Sequence, residues 1–160
     1  MKKRMILLLS TALVLILLNG CKGADTPKDV NLTDFYNSLA ERYGWEGSYL
    51  VDVTDELQET YYPGLGEYTL VQKVMKMPMM SSVVAEFAFV QCETEGDAEK
   101  VAEIFQKRAD EQAEGGAWYP ESMEAWSNAQ VLTEGPYVAL IAYAGSEQEV
   151  VDQWKALFAE

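Results

Sequence analysis

The chain has 160 residues, a formal net charge of −14, 49% apolar residues and no histidine. Such an apolar share argues against disorder. The lack of histidine excludes Ser-His-Asp and Cys-His catalysis, His-bound zinc and HExxH proteases together, and the acidic balance repels nucleic acid and anionic headgroups.

Residues 1–20 read as a targeting segment. Lys2, Lys3 and Arg4 precede the apolar run "MILLLSTALVLILL", Met5 to Leu18. That run is shorter than the ~20 residues a spanning helix needs. It ends in "LNGC", which resembles the lipobox of bacterial lipoproteins: cleavage between Gly20 and Cys21, and a diacylglycerol on the Cys21 thiol. The resemblance implies a protein anchored by lipid on the outer face of the cell membrane, because two acyl signals hold where one is marginal. Residues 21–30 read as a lipidated polar tether and 31–160 as one domain. The first twenty residues hold three cations and no acid, so the remainder carries −17. Lipid rather than charge must then hold it at the membrane.

"NLTDFYNSLAERY", Asn31 to Tyr43, has helical apolar spacing, with Gly44 as its stop. A short helix follows Thr54 and ends before Pro63. A strand is expected from about Glu67 to Met77, broken by Pro78, and a second from Val83 to Cys92. A helix over Asp97–Ala113 and a short one over Pro120–Asn128 come next. "AQVLTEGPYVALIAYAG" reads as a hairpin turning at Glu134-Gly135. Ser146 and Glu149 form a capping box before a last helix striped by Val150, Val151, Trp154, Leu157 and Phe158. Two ββα units emerge as a weak internal repeat. The expected fold is α+β: a single four-stranded antiparallel sheet built from two ββα units, with amphipathic helices and an N-terminal helix. Both central strands are apolar on both faces, so helices cover both, or one face is left for a partner.

"DELQETYYPGL", "KMPMMSSVVAEFAFVQ" and "NAQVLTEGPYVALIAYAG", with the helix between the last two, resemble a family of small lipoproteins of Gram-positive, clostridial-type bacteria that carry a domain of unknown function. The resemblance spans most of residues 50–158. It places Glu86 and Gly135-Pro136-Tyr137 at matching positions, making Glu86 and Tyr137 the candidate binding residues. It implies location and fold, and no catalytic residue.

Glu86 stands among Val83, Val84, Ala85 and Phe87. Unpaired burial would raise its pKa, as in a general acid. The expectation is instead an exposed sheet face, or pairing with Lys73 or Lys76 across the hairpin. Met75, Met77, Met79 and Met80 could trap Cu(I), but a stretch with no histidine or cysteine beside it that leads into a core strand reads as core filler. Acids in "ETEGDAE" lack the glycine and glutamate positions of an EF-hand and suit a helix N-terminus. Cys92, the thiol left once Cys21 is lipidated, reads as buried and structural. Trp45, Trp118-Tyr119 and Tyr61-Tyr62 could stack on sugars, and read first as core or loop anchors. No cofactor, metal or nucleic acid is implied. The functional expectation is a non-catalytic accessory module of the cell envelope, binding an envelope protein or wall glycan. The alternative is a carboxylate enzyme pairing Glu86 with a second acid about 5–9.5 Å away.

Overall fold

A computed structural model describes residues 29–45 and 49–159. The leader, Gly20, Cys21 and the tether up to residue 28 lie outside the described residues. Among the described residues, no helix is long and apolar enough to cross a membrane.

Helix α1 is Leu32–Tyr43. The Asn31 side chain caps it by accepting from the Asp34 N–H at 3.0 Å. Gly44 ends it at φ 70°, a left-handed geometry open to glycine without strain. Strand β1, Leu50–Asp52, pairs antiparallel with β2, Leu70–Pro78. Between them lie α2, Asp55–Tyr61, capped by Thr54, and a 3₁₀ turn over Leu65–Glu67. Strand β3 is Ala85–Cys92. Helix α3, Glu95–Glu111, begins at Thr94, whose hydroxyl accepts from the Asp97 N–H at 3.1 Å. A π turn, Gln112–Gly116, leads to α4, Pro120–Ser127. Strands β4, Gln130–Glu134, and β5, Tyr137–Tyr143, form the expected hairpin through Gly135. Helix α5, Glu147–Phe158, closes the domain.

The fold is α+β with one antiparallel sheet in the order β1-β2-β3-β5-β4. It has five strands, not the expected four. The extra strand is three residues long, below the four to eight residues at which alternation reads as a strand. The expected capping box at Ser146 does not form: Ser146 makes no side-chain cap bond. Its backbone, at φ −125° and ψ 41°, lies away from the extended geometry in which a cap hydroxyl reaches back to the helix N–H groups.

The pleat of β3 divides the core. Phe87 and Phe89 face α1 and α5, where they meet Phe35, Leu39 and Trp154. Trp154 stacks on Phe89 with centroids 5.5 Å apart. Ala88 and Val90 face α3 and α4 with Val101, Phe105 and Trp126. Helices therefore cover both faces. A two-fold axis normal to the sheet between β3 and β5 would set α3 and α5 on the same face. They pack on opposite faces, so the two ββα units repeat in sequence pattern but are not related by that rotation.

Candidate functional site

Glu86 lies on the face of β3 that looks at α3, and is 2% exposed. The expectation of an exposed or lysine-paired carboxylate is overturned. Lys73 turns to Asp55 and Gln58, and Lys76 to Asp52 at 2.7 Å on the other face. The partner of Glu86 is Arg108 on α3. Arg108 donates from Nε to Oε1 and from Nη2 to Oε2, both at 2.9 Å. This two-pronged geometry is the strongest that an arginine offers a carboxylate. The Tyr62 hydroxyl donates to Oε1 as well. The guanidinium lies under two rings, 4.7 Å from the Tyr61 centroid and 5.3 Å from that of Trp126.

Burial alone would pull Arg108 down. The hydrogen bonds and charge of Glu86 outweigh it, so the group is held above its ordinary value. Burial first, and then the Glu86 charge, raises the Tyr62 phenol well above its own. The cluster is closed on itself: both Glu86 oxygens are engaged by Arg108, and Oε1 by Tyr62 as well.

Arg108 is the residue that sequence reasoning missed, and a signal for it exists. It falls on the buried stripe of α3 with Val101, Phe105 and Ala109. One lone cation on an apolar helix stripe and one lone acid on an apolar strand point to each other, because neither can be buried alone.

Above this ion pair opens a groove of about 300 Å³. Met77 and Trp126 line its inner wall, and Met79, Met80 and Trp118 its rim. Here the methionines part company. Met75 and Met77 are core, at 3% and 9% exposure, as the filler reading expected. Met79 and Met80 are not, at 72% and 52%. Pro78 ends β2 and the chain turns, which lifts both off the sheet. Trp118, 87% exposed, is held out by the turn after α3. That turn needs its glycines. Gly115 sits at φ 126°, and a Cβ on Gly116 would come within 2.7 Å of the Glu111 carbonyl. The groove lining holds two charged side chains, Glu86 and Arg108, which neutralise each other. Among the described residues, no second carboxylate lines it.

Across α4 lies a second hollow of about 560 Å³, lined by Glu121, Glu124 and Glu147 and, among the described residues, by no lysine or arginine. Burial raises the Glu147 carboxyl to about 7.

Tyr137 is not part of this site. It faces the α1–α5 side, 1% exposed, with its ring 5.2 Å from that of Phe158. Its hydroxyl accepts from the Val30 N–H at 3.3 Å. The two candidate binding residues are thus on opposite faces of the sheet. Trp45 is core, stacked on Phe87 at 4.4 Å, and Tyr62 is buried. Cys92 is buried, its thiol pushed up to about 11 by burial and by the charge of Asp97. The acids of the "ETEGDAE" stretch open α3, with Glu95 and Asp97 in its first turn.

Residues 47–143 match the family described as Domain of unknown function (DUF4358). The match covers more than half of the chain. The chain belongs to this family. The matched span holds the whole sheet, the Glu86–Arg108–Tyr62 cluster and the groove, while α1 and α5 lie outside it. Comparison with curated proteins and with solved structures gave no match.

Proposed function

We propose that this member of the family is a lipid-anchored extracytoplasmic protein whose domain is a non-catalytic binding module of the cell envelope. The reading for location rests on the leader and on Cys21 in "LNGC". The observation that carries the binding reading is the groove over Arg108. Met79, Met80 and Trp118, three of the large apolar side chains most exposed among the described residues, converge on it. Exposed apolar side chains gathered in one concavity mark interaction sites. Glu86 accepts three hydrogen bonds inside the protein. With its oxygens so engaged and no second acid among the described residues of the groove, binding is favoured over carboxylate catalysis.

The position of the groove fits an anchored module. The described chain begins at Asp29, and Val30 docks at one end of the sheet: its carbonyl accepts from Gln72 Nε2 at 2.7 Å, beside Gln91 and Tyr137. The groove opens at the other end, beyond Pro78. That is six residues along β2 from Gln72, or roughly 20 Å at strand rise. A tether leaving from Asp29 lets the groove face away from the membrane.

The test is fractionation of cells producing wild type or Cys21→Ala, with labelled palmitate. Wild type should label and sediment with membranes, and the variant should do neither. A cleaved variant that still sediments with membranes removes the anchoring half of the proposal.

A further inference from the structure

The two hollows beside α4 differ in chemistry and share one wall. On one side is the groove, apolar at its rim and electrically cancelled at its floor. On the other are Glu121, Glu124 and Glu147 with no cation among them. Trp126 and Ser122 turn inward from α4, whereas Glu121 and Glu124 are exposed on it. An α-helix with its side chains is about 10 Å across, a width that roughly three extended residues span. A chain segment with an apolar anchor in the groove therefore brings residues three or four positions away over the glutamates. A cation there meets uncompensated negative charge, and an acid meets repulsion. Methionines at the rim adapt to varied apolar side chains, and tryptophan is among the residues enriched at binding hot spots.

We infer that the groove and the acidic hollow form one docking surface for a protein segment in which apolar anchor residues are flanked by lysine or arginine. This rests on the binding-module reading and names its ligand class. The surplus of acid over the rest of the domain steers such a segment in and keeps anionic ones away. Neither hollow alone specifies this partner: the groove carries no net charge, and the glutamates give no shape to an anchor. Met79, Met80 and Trp118 set where the anchor goes, and Glu121 and Glu124 set which flanks are accepted.

The experiment uses the full lipidated chain in phosphatidylcholine nanodiscs, with empty discs as background. The probe is a short synthetic peptide with a Leu-Leu centre, a glycine on each side and lysine pairs at both ends. It is titrated by fluorescence polarisation at two salt concentrations. Saturable binding is expected. Trp118→Ala should raise Kd tenfold or more with an unchanged circular dichroism spectrum, since the side chain is almost fully exposed. The double variant Glu121→Gln/Glu124→Gln should raise Kd threefold or more and flatten the salt dependence. Peptides with glutamate in place of lysine, or serine in place of leucine, should not bind. Equal binding of either control peptide overturns the inference, as does an unchanged Kd in Trp118→Ala. A chitotriose titration is run alongside. If the sugar binds at Trp118 and the peptide does not, the inference falls and the binding module stands. If neither probe binds to wild type that fractionates with membranes, the inference falls and the anchoring half of the proposal survives.

Discussion

Replacing Glu86 by glutamine should be among the most damaging single-atom changes available to this domain. The substitution keeps the shape and removes the charge that Arg108 needs. Arg108 is 7% exposed, so its guanidinium cannot recover water, and breaking a buried pair from one side costs about 3–5 kcal/mol. Arg108→Met breaks it from the other side, leaving the Glu86 carboxylate with the Tyr62 hydroxyl alone, at a similar cost. A domain of this size has about 5–15 kcal/mol in total, so either change takes a large share. Removing both charges is different. Glu86→Met/Arg108→Met deletes the desolvation cost of two ions together with their attraction, a swap that is often neutral or stabilising. One penalty remains: the Tyr62 hydroxyl loses its acceptor, at about 1–3 kcal/mol, and adding Tyr62→Phe should recover most of it. Equilibrium urea unfolding at pH 7, followed by tryptophan fluorescence, reads all four variants. The reasoning would be refuted by a Glu86→Gln loss under about 0.5 kcal/mol, the range of exposed substitutions, or by a Glu86→Met/Arg108→Met loss as large as those of Glu86→Gln and Arg108→Met combined.

Two further measurements follow from the titrating groups. Burial raises Glu147 from 4.5 to about 7, so the folded state holds its proton more tightly than the unfolded one. Its contribution to stability is full below about pH 4.5 and is lost as pH rises through about 7. Glu147→Gln should flatten the pH dependence of stability across that window, by about 1 kcal/mol or less because the side chain is partly solvated. An unchanged slope in urea melts at pH 5, 6, 7 and 8 counts against it. Cys92, buried with its thiol at about 11, should resist a disulfide reagent at pH 8 in the folded protein and react fully in urea. Rapid labelling under native conditions would show the thiol to be accessible.

Much of the fold was legible because its boundaries are set locally. Asn31 and Gly44 bracket α1 by a side-chain cap and a left-handed residue, and both are chemistry of single residues. The β4–β5 hairpin, turning at Glu134-Gly135, is likewise a local event. What failed was either short or cooperative. β1 has three residues, and its partner is Met77 and its neighbours on β2, so pairing rather than pattern makes it a strand. Ser146 matched its motif in spacing, but spacing does not report backbone geometry, and its ψ of 41° is not that of a cap. The methionines were half legible. Alternation placed Met75 and Met77 together, and Pro78 warned of a turn, but that Met79 and Met80 line a groove depends on the Gln112–Gly116 turn, about 35 residues downstream.

The misplacement of Glu86 has a general cause. Read alone, an acid in an apolar strand has two outcomes, exposure or a costly burial, and the cheaper one looks the safer inference. The comparison changes when the rest of the chain is searched for a cation in the same predicament. Lys73 and Lys76 were the near neighbours, yet β2 is adjacent to β1 and α2, where Asp52 and Asp55 already serve them. Arg108 is the one cation on the buried stripe of α3. Its flat, five-donor head can satisfy both carboxylate oxygens at once, which a lysine cannot do. The same pairing fixes the register of α3 over the sheet, since a shift by one turn would move the guanidinium about 5.4 Å, beyond the reach of Glu86. In that register the helix brings Gln112 and the turn that follows to the groove, whose lining Trp118 shares with Met79 and Met80. The ion pair thereby shapes the groove twice over: it forms the floor, and through α3 it sets where the rim stands.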